Sequence, residues 1–161
     1  MKVVLFFALS FFNVVCVAQS QEQEAKAIDV LERKAMDQKK SIMRIERMDT
    51  ADGSGRRLEV TRTYFLDEAR KNLLLITAYE NQQSPNKGLQ VVYTFSNNRL
   101  VKVNAAPAKS VCRKCNAAYY FSNDTLFHKR EQNFAVQNAF SLVDDSKRLS
   151  ARVLPLMNTP R

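Results

Sequence analysis

The pattern of apolar and polar positions divides the chain into a leader, a helix, a run of strands and a second helix. Val3 to Val17 is apolar, broken only by Ser10 and Asn13; Lys2 precedes it, and the small residues Ala18 and Ser20 follow. One positive charge, a short apolar core and a small-residue exit make a secretory signal peptide, residues 1–20. The run is too short, and too soon followed by Gln-rich sequence, for a stable membrane span. Cleavage is expected after Ser20, with Ala18 at −3, or after Ala18. Cys16 follows Val15 rather than the small residue a lipobox needs, so no lipid anchor is expected there.

Residues 21–40 repeat apolar positions at helical spacing, with Ile28, Leu31, Ala35 and then Ile42 on one stripe. Glu22–Lys26 and Asp29–Arg33 are i,i+4 pairs in the favourable orientation. Residues 41–49 fit either helix or strand, and Asp52-Gly53-Ser54-Gly55 ends whichever forms. Six strand-like runs follow: 57–65, 73–79, 89–95, 100–103, 117–121 and 126–130. Asp67-Glu68 belongs to the first turn, and Ser84-Pro85-Asn86-Lys87-Gly88 reads as another. From Phe134 to Leu154, Val136, Phe140, Val143, Leu149 and Val153 are spaced for a helix that Pro155 should stop.

Two hairpins are copies of each other. Tyr93 to Leu100 aligns with Tyr119 to Leu126 at an offset of 26 residues, with five of eight positions identical. Asn97-Asn98 and Asn123-Asp124 suit a two-residue turn with positive φ. Thr63-Tyr64-Phe65 followed by Leu73 reads as a third, looser copy. In simple register Phe95 faces Leu100, Tyr93 faces Lys102 and Tyr119 faces His128. Both faces of this sheet are fairly apolar, so each should be covered, by the two helices or by a partner.

The expected fold is therefore α+β: a single domain over 21–161 with helix 21–40, an antiparallel hairpin meander of about six strands over 42–131, helix 134–154 and a short tail. One helix followed by a curved antiparallel sheet resembles the order of cystatin-like domains. No cystatin inhibitory motif is present, so the resemblance implies topology alone.

Composition narrows the function. Without the leader, about 141 residues remain, enough for one core. They carry 24 Lys+Arg against 16 Asp+Glu, with the excess concentrated in residues 101–161. For an exported protein, secreted or periplasmic, that charge points to an anionic envelope polymer, a membrane surface or an acidic protein as partner, rather than nucleic acid. Lys102, Arg113, Lys114, Lys129 and Arg130 form the candidate anion-binding set, edged by Tyr93 and Tyr119 as candidate aromatic contacts. Cys112-Arg113-Lys114-Cys115 is expected as a disulfide in an oxidising compartment. It lacks the His of a haem c site, and a zinc site needs more ligands than two cysteines and His128 supply. His128 reads as a polar edge residue, and Asp144-Asp145 as a solvated helix face. Neither nucleotide-binding nor acyl-transfer signatures occur. No metal or cofactor is expected. The reading is a non-enzymatic exported binding protein. The alternatives are a membrane-surface or structural envelope protein and a thiol–disulfide redox protein using Cys112 and Cys115, whose thiol pKa values Arg113 and Lys114 would lower.

Thiol titration of mature protein purified without reductant should find Cys112 and Cys115 oxidised. Their reduction potential should lie below about −300 mV, as for a structural staple. A value near those of oxidoreductases would establish the redox alternative.

Overall fold

The computed structural model describes residues 3–37, 42–51, 57–69, 71–82, 88–107, 112, 114–136 and 138–157. Helix α1 spans Val3–Asp37, so the helix expected from residue 21 continues back through the apolar residues before it; residues 38–40 lie outside the described residues. Seven strands follow: β1 Ile42–Ala51, β2 Arg57–Leu66, β3 Leu73–Gln82, β4 Gly88–Ser96, β5 Arg99–Pro107, β6 Asn116–Ser122 and β7 Thr125–Gln132. Helix α2, Ala139–Met157, closes the order. The strands form one antiparallel sheet in chain order, a pure meander. The segment 41–49, open between helix and strand, supplies β1, which raises the count from six to seven. The turns expected at 52–55 and 84–88 fall largely outside the described residues.

Asn97, Asn98, Asn123 and Asp124 all adopt positive φ, between 49° and 63°. These are the left-handed conformations a two-residue hairpin turn demands and Asn or Asp tolerates. The β2–β3 turn is longer and is tied by Asp67, whose carboxylate accepts from the Lys71 and Asn72 amides at 2.7 and 3.1 Å. Hydrogen bonds on that turn outweigh the opposing pull of burial and hold the Asp67 carboxyl below the usual carboxylate range. The tips brace one another. Asn98 Oδ1 accepts from the Leu73 amide at 2.7 Å, Arg99 donates to Asn123 at 3.2 Å, and Lys147 of α2 pairs with Asp124 at 2.8 Å.

The simple register fails just after each turn. Phe95 does face Leu100, but Thr94, not Tyr93, faces Lys102, which leaves Val101 without a partner. Phe121 faces Leu126 and Tyr120, not Tyr119, faces His128, leaving Phe127 over. Leu66 faces Leu73 and Phe65 faces Leu75, leaving Leu74. Each is a β-bulge, one extra residue on the returning strand. The third copy is thus real but displaced by one: Tyr64-Phe65-Leu66 matches Tyr93-Thr94-Phe95, and Leu66 takes the place of Phe95.

The bulges sort the side chains into two layers. One face holds the main core, with Tyr64, Tyr93 and Tyr119 from the three copies, Leu66, Phe95 and Phe121 beside the turns, and Leu142, Val143, Leu149 and Val153 of α2. The other face packs against α1, where Ala25 and Ile28 meet Tyr120, Val101 and Phe127, and Ala35 meets Phe65, Leu75 and Leu74. The two helices therefore cover opposite faces.

Both helix stripes differ in part from the expected ones. On α1, Leu31 is 40% exposed. The inward positions are Ala25, Ile28 and Ala35, with Asp29 and Glu32 between them, because the sheet offers charged partners there. Helix α2 begins at Ala139, not 134. Asn138 caps it, its side-chain oxygen accepting from the Phe140 amide at 3.1 Å. Val136 instead donates its amide to the Tyr119 hydroxyl at 2.8 Å, outside the helix. The buried α2 positions are Leu142, Val143, Ser146, Leu149 and Val153, so Val143, Leu149 and Val153 of the expected stripe do face the sheet. Phe140, in the first turn, is 65% exposed. The helix extends through Pro155 to Met157 rather than stopping at 154.

Leu73→Ala, at a fully buried position, should cost about 2–5 kcal/mol in urea unfolding. Leu31→Ala should stay within about 0.5 kcal/mol, as for an ordinary surface site. Equal losses would contradict the α1 orientation described here.

Candidate functional site

The unusual feature lies between α1 and the sheet. Helix α1 contributes the carboxylates Glu22, Asp29 and Glu32, at spacings of seven and three that put them on one face. The sheet contributes Lys102, His128 and Arg130. Lys102, 5% exposed, sends its ammonium to Asp29 Oδ1 and Glu32 Oε2, both at 2.6 Å. Burying an ammonium costs several kcal/mol, and two close carboxylates with further hydrogen bonds are what offset it. Glu32 Oε1 also accepts from the Asn104 side-chain amide and, at 3.3 Å, from the Thr94 hydroxyl.

Arg130 spans two carboxylates, donating to Asp29 Oδ2 at 2.8 Å and Glu22 Oε1 at 2.9 Å. It also donates to the Tyr120 hydroxyl at 2.8 Å, which donates onward to Asp29 Oδ1 at 2.9 Å. The Tyr120 ring has Lys102 and Arg130 at 5.3 and 5.1 Å from its centre, within cation–π range. His128 Nε2 lies 3.2 Å from Glu22 Oε2, near enough for an ion pair when protonated, but makes no hydrogen bond.

These contacts set the titration behaviour. Burial pulls the Asp29 carboxyl upward, but hydrogen bonds from Lys102, Arg130 and Tyr120 outweigh it and hold the group below the usual carboxylate range. Burial, then the bond to Asp29, pushes the Tyr120 phenol well above its ordinary value. The bond to Asp29 raises Arg130 further, so it is charged at any accessible pH.

Beside this cluster is a cleft of about 490 Å³. Its wall is Asp29, Glu32 and Arg33 of α1, and its floor includes Gln90, Asn104, Ala106 and Asn116. The small alanines on β5 and β6 leave the space. A hollow of about 590 Å³ lies by the hairpin tips, near Leu31 and Asn123. Another, of about 260 Å³, lies by α2, with Arg62, Arg148, Arg152 and Asp145. The buried charges adjoin only the first, which makes it the candidate site.

Of the five basic residues singled out from sequence, the four that are described do not form one patch. Lys102 and Arg130 meet in the cluster, their anionic partners being the α1 carboxylates. Lys129 pairs with Glu131 at 2.8 Å. Lys114 is exposed on the β5–β6 connection, and Arg113 lies outside the described residues. Tyr93 and Tyr119 are on the opposite face, in the α2 core; Tyr120 makes the cation contacts in their place. Cys112 and Cys115 form a disulfide, with Cα atoms 5.5 Å apart. It closes a tight turn before β6, with Cys115 Sγ touching the Asn133 carbonyl at 3.2 Å. Sequence reasoning placed Glu22 and Asp29 only in i,i+4 pairs and missed Glu32 and Asn104. The one signal for the carboxylates was their seven-and-three spacing beside Ala25 and Ile28.

Compared with family models, with curated proteins and with solved structures, the chain matches none.

Lys102→Met should destabilise the protein by about 3–5 kcal/mol, the usual cost of breaking a buried pair. Adding Asp29→Asn and Glu32→Gln should recover part of that loss, since uncompensated carboxylates cause it. No recovery in urea unfolding would mean that the pairs are incidental. Because the folded Asp29 carboxyl is depressed, its contribution is full above the unfolded value of about 3.9. It is lost as pH falls through the lower folded value. Asp29→Asn should remove that part of the acid limb in a pH series of urea midpoints.

Proposed function

We propose that this chain is an exported binding protein without a catalytic role, whose ligand enters the cleft beside α1 over β4 to β6. The observation that carries the reading is the placement of α1. Ion pairs hold the helix over the hairpin-turn half of its sheet face, and the cleft occupies the face beside it. The cleft's charged wall is built and satisfied by the protein itself. Lys102, Asp29, Glu32 and Arg130 are bonded to one another, which supports a role in shaping a surface rather than in proton transfer or nucleophilic attack.

The ligand class is anionic. Arg33 is exposed at the rim and Arg130 is half-buried at the far side. The cleft residues carry three positive charges, Arg33, Lys102 and Arg130, against the two of Asp29 and Glu32. Asn104, Asn116 and Gln90 add amide donors around them. The excess of basic residues over the whole mature chain would draw a polyanion of the envelope towards this surface. The leader supports export to the compartment where such polymers occur.

An amide-resolved NMR titration of the 21–161 protein with polyphosphate or a heparin fragment tests this. Shifts should centre on Gln90, Asn104 and Asn116 and weaken as salt rises. Arg33→Glu should lower the affinity roughly tenfold, about 1.4 kcal/mol. Shifts confined to the α2 face, or none at either probe, would dismiss the cleft as an anion site.

A further inference from the structure

We propose that the mature chain begins with a pyroglutamate, formed from the glutamine that leader removal exposes. The inference rests on the export reading above. The two candidate junctions lead to the same chemistry: cleavage after Ser20 leaves Gln21 first, and cleavage after Ala18 leaves Gln19 first. In either case the freed α-amine attacks Cδ of its own side-chain amide. The new N–C bond closes a five-membered lactam, the old amide C–N bond breaks, and ammonia departs with the displaced proton. No oxidant, reductant or second substrate is consumed.

In the structure Gln21 lies within α1, which runs Val3–Asp37; removal of the leader would make it the first residue of the helix that remains, and the product suits that position. The first amides of an α-helix have no partner within the helix, so this amine is not tied up by the backbone. As an ammonium it would stand at the positive end of the shortened helix's dipole. It would also sit one residue from Glu22, whose carboxylate accepts from Arg130 at 2.9 Å and lies 3.2 Å from His128 Nε2. A neutral lactam removes the unfavourable charge and leaves Glu22 to those partners. Its ring is the size of proline's, which the first helical position accepts well. At Gln19, which is exposed, the ring would form two residues ahead of the docked segment and relieve the same dipole.

The test expresses the full chain with its own leader and measures the intact mass and N-terminal sequence of the exported protein. The expected product is the cleaved chain lighter by one ammonia, blocked to sequencing and unblocked by pyroglutamyl aminopeptidase. Replacing the first residue, Gln21→Ala or Gln19→Ala as the mass dictates, should restore a free amine at full mass. A cleaved chain that retains a free glutamine after prolonged incubation at neutral pH, or that starts at another residue, overturns the proposal while export stands. A chain still carrying Met1 to Ser20 overturns both.

Discussion

The arrangement depends on one extra residue placed after each hairpin turn. In an unbroken strand Lys102 would point with Tyr93 into the α2 core, where no anion could reach it. The bulge at Val101 turns Lys102 to the other face, beneath α1. The same step at Leu74 and Phe127 delivers Leu75 and His128 to that face. Each copy therefore presents two successive side chains to one helix, which plain alternation forbids. The first copy offers an apolar pair, and the next two offer one apolar and one basic residue each.

Helix α1 answers with a matching order. Ala35 and Met36 lie over the apolar copy, and Asp29, Glu32 and Glu22 lie over the basic ones. The anions that meet Lys102 and Arg130 come from the helix, so shifting the helix by a turn would leave Lys102 buried without its partners. Apolar contacts alone would hold the helix less selectively, since Ala25, Ile28 and Ala35 are small or few. The charges specify where the helix lies, at a desolvation cost that the surrounding hydrogen bonds reduce.

That placement also shapes the surface. The alanines and amide side chains of β5 and β6 remain beside the helix as a cleft instead of vanishing beneath it. The disulfide tightens the turn that leads into β6 along this edge. Two of the basic residues, Lys102 and Arg130, are paired internally with Glu22, Asp29 and Glu32, while Arg33 stays at the rim.

Local chemistry made much of the fold legible. Asn-Asn and Asn-Asp turns need positive φ, β-branched and aromatic runs favour strands, and the repeated Tyr-x-Phe hairpin announces an antiparallel meander. Two apolar faces called for two covering layers, and two helices supply them. These features depend on neighbours in sequence, so the chain alone determined them. The bulges, the rotation of α1 that exposes Leu31, the late start of α2 at its Asn138 cap and the burial of Lys102 were decided only in three dimensions. A bulge leaves alternation intact on either side and shows no sign in composition. A lysine and two carboxylates some seventy residues away become a site only when packing removes the water between them.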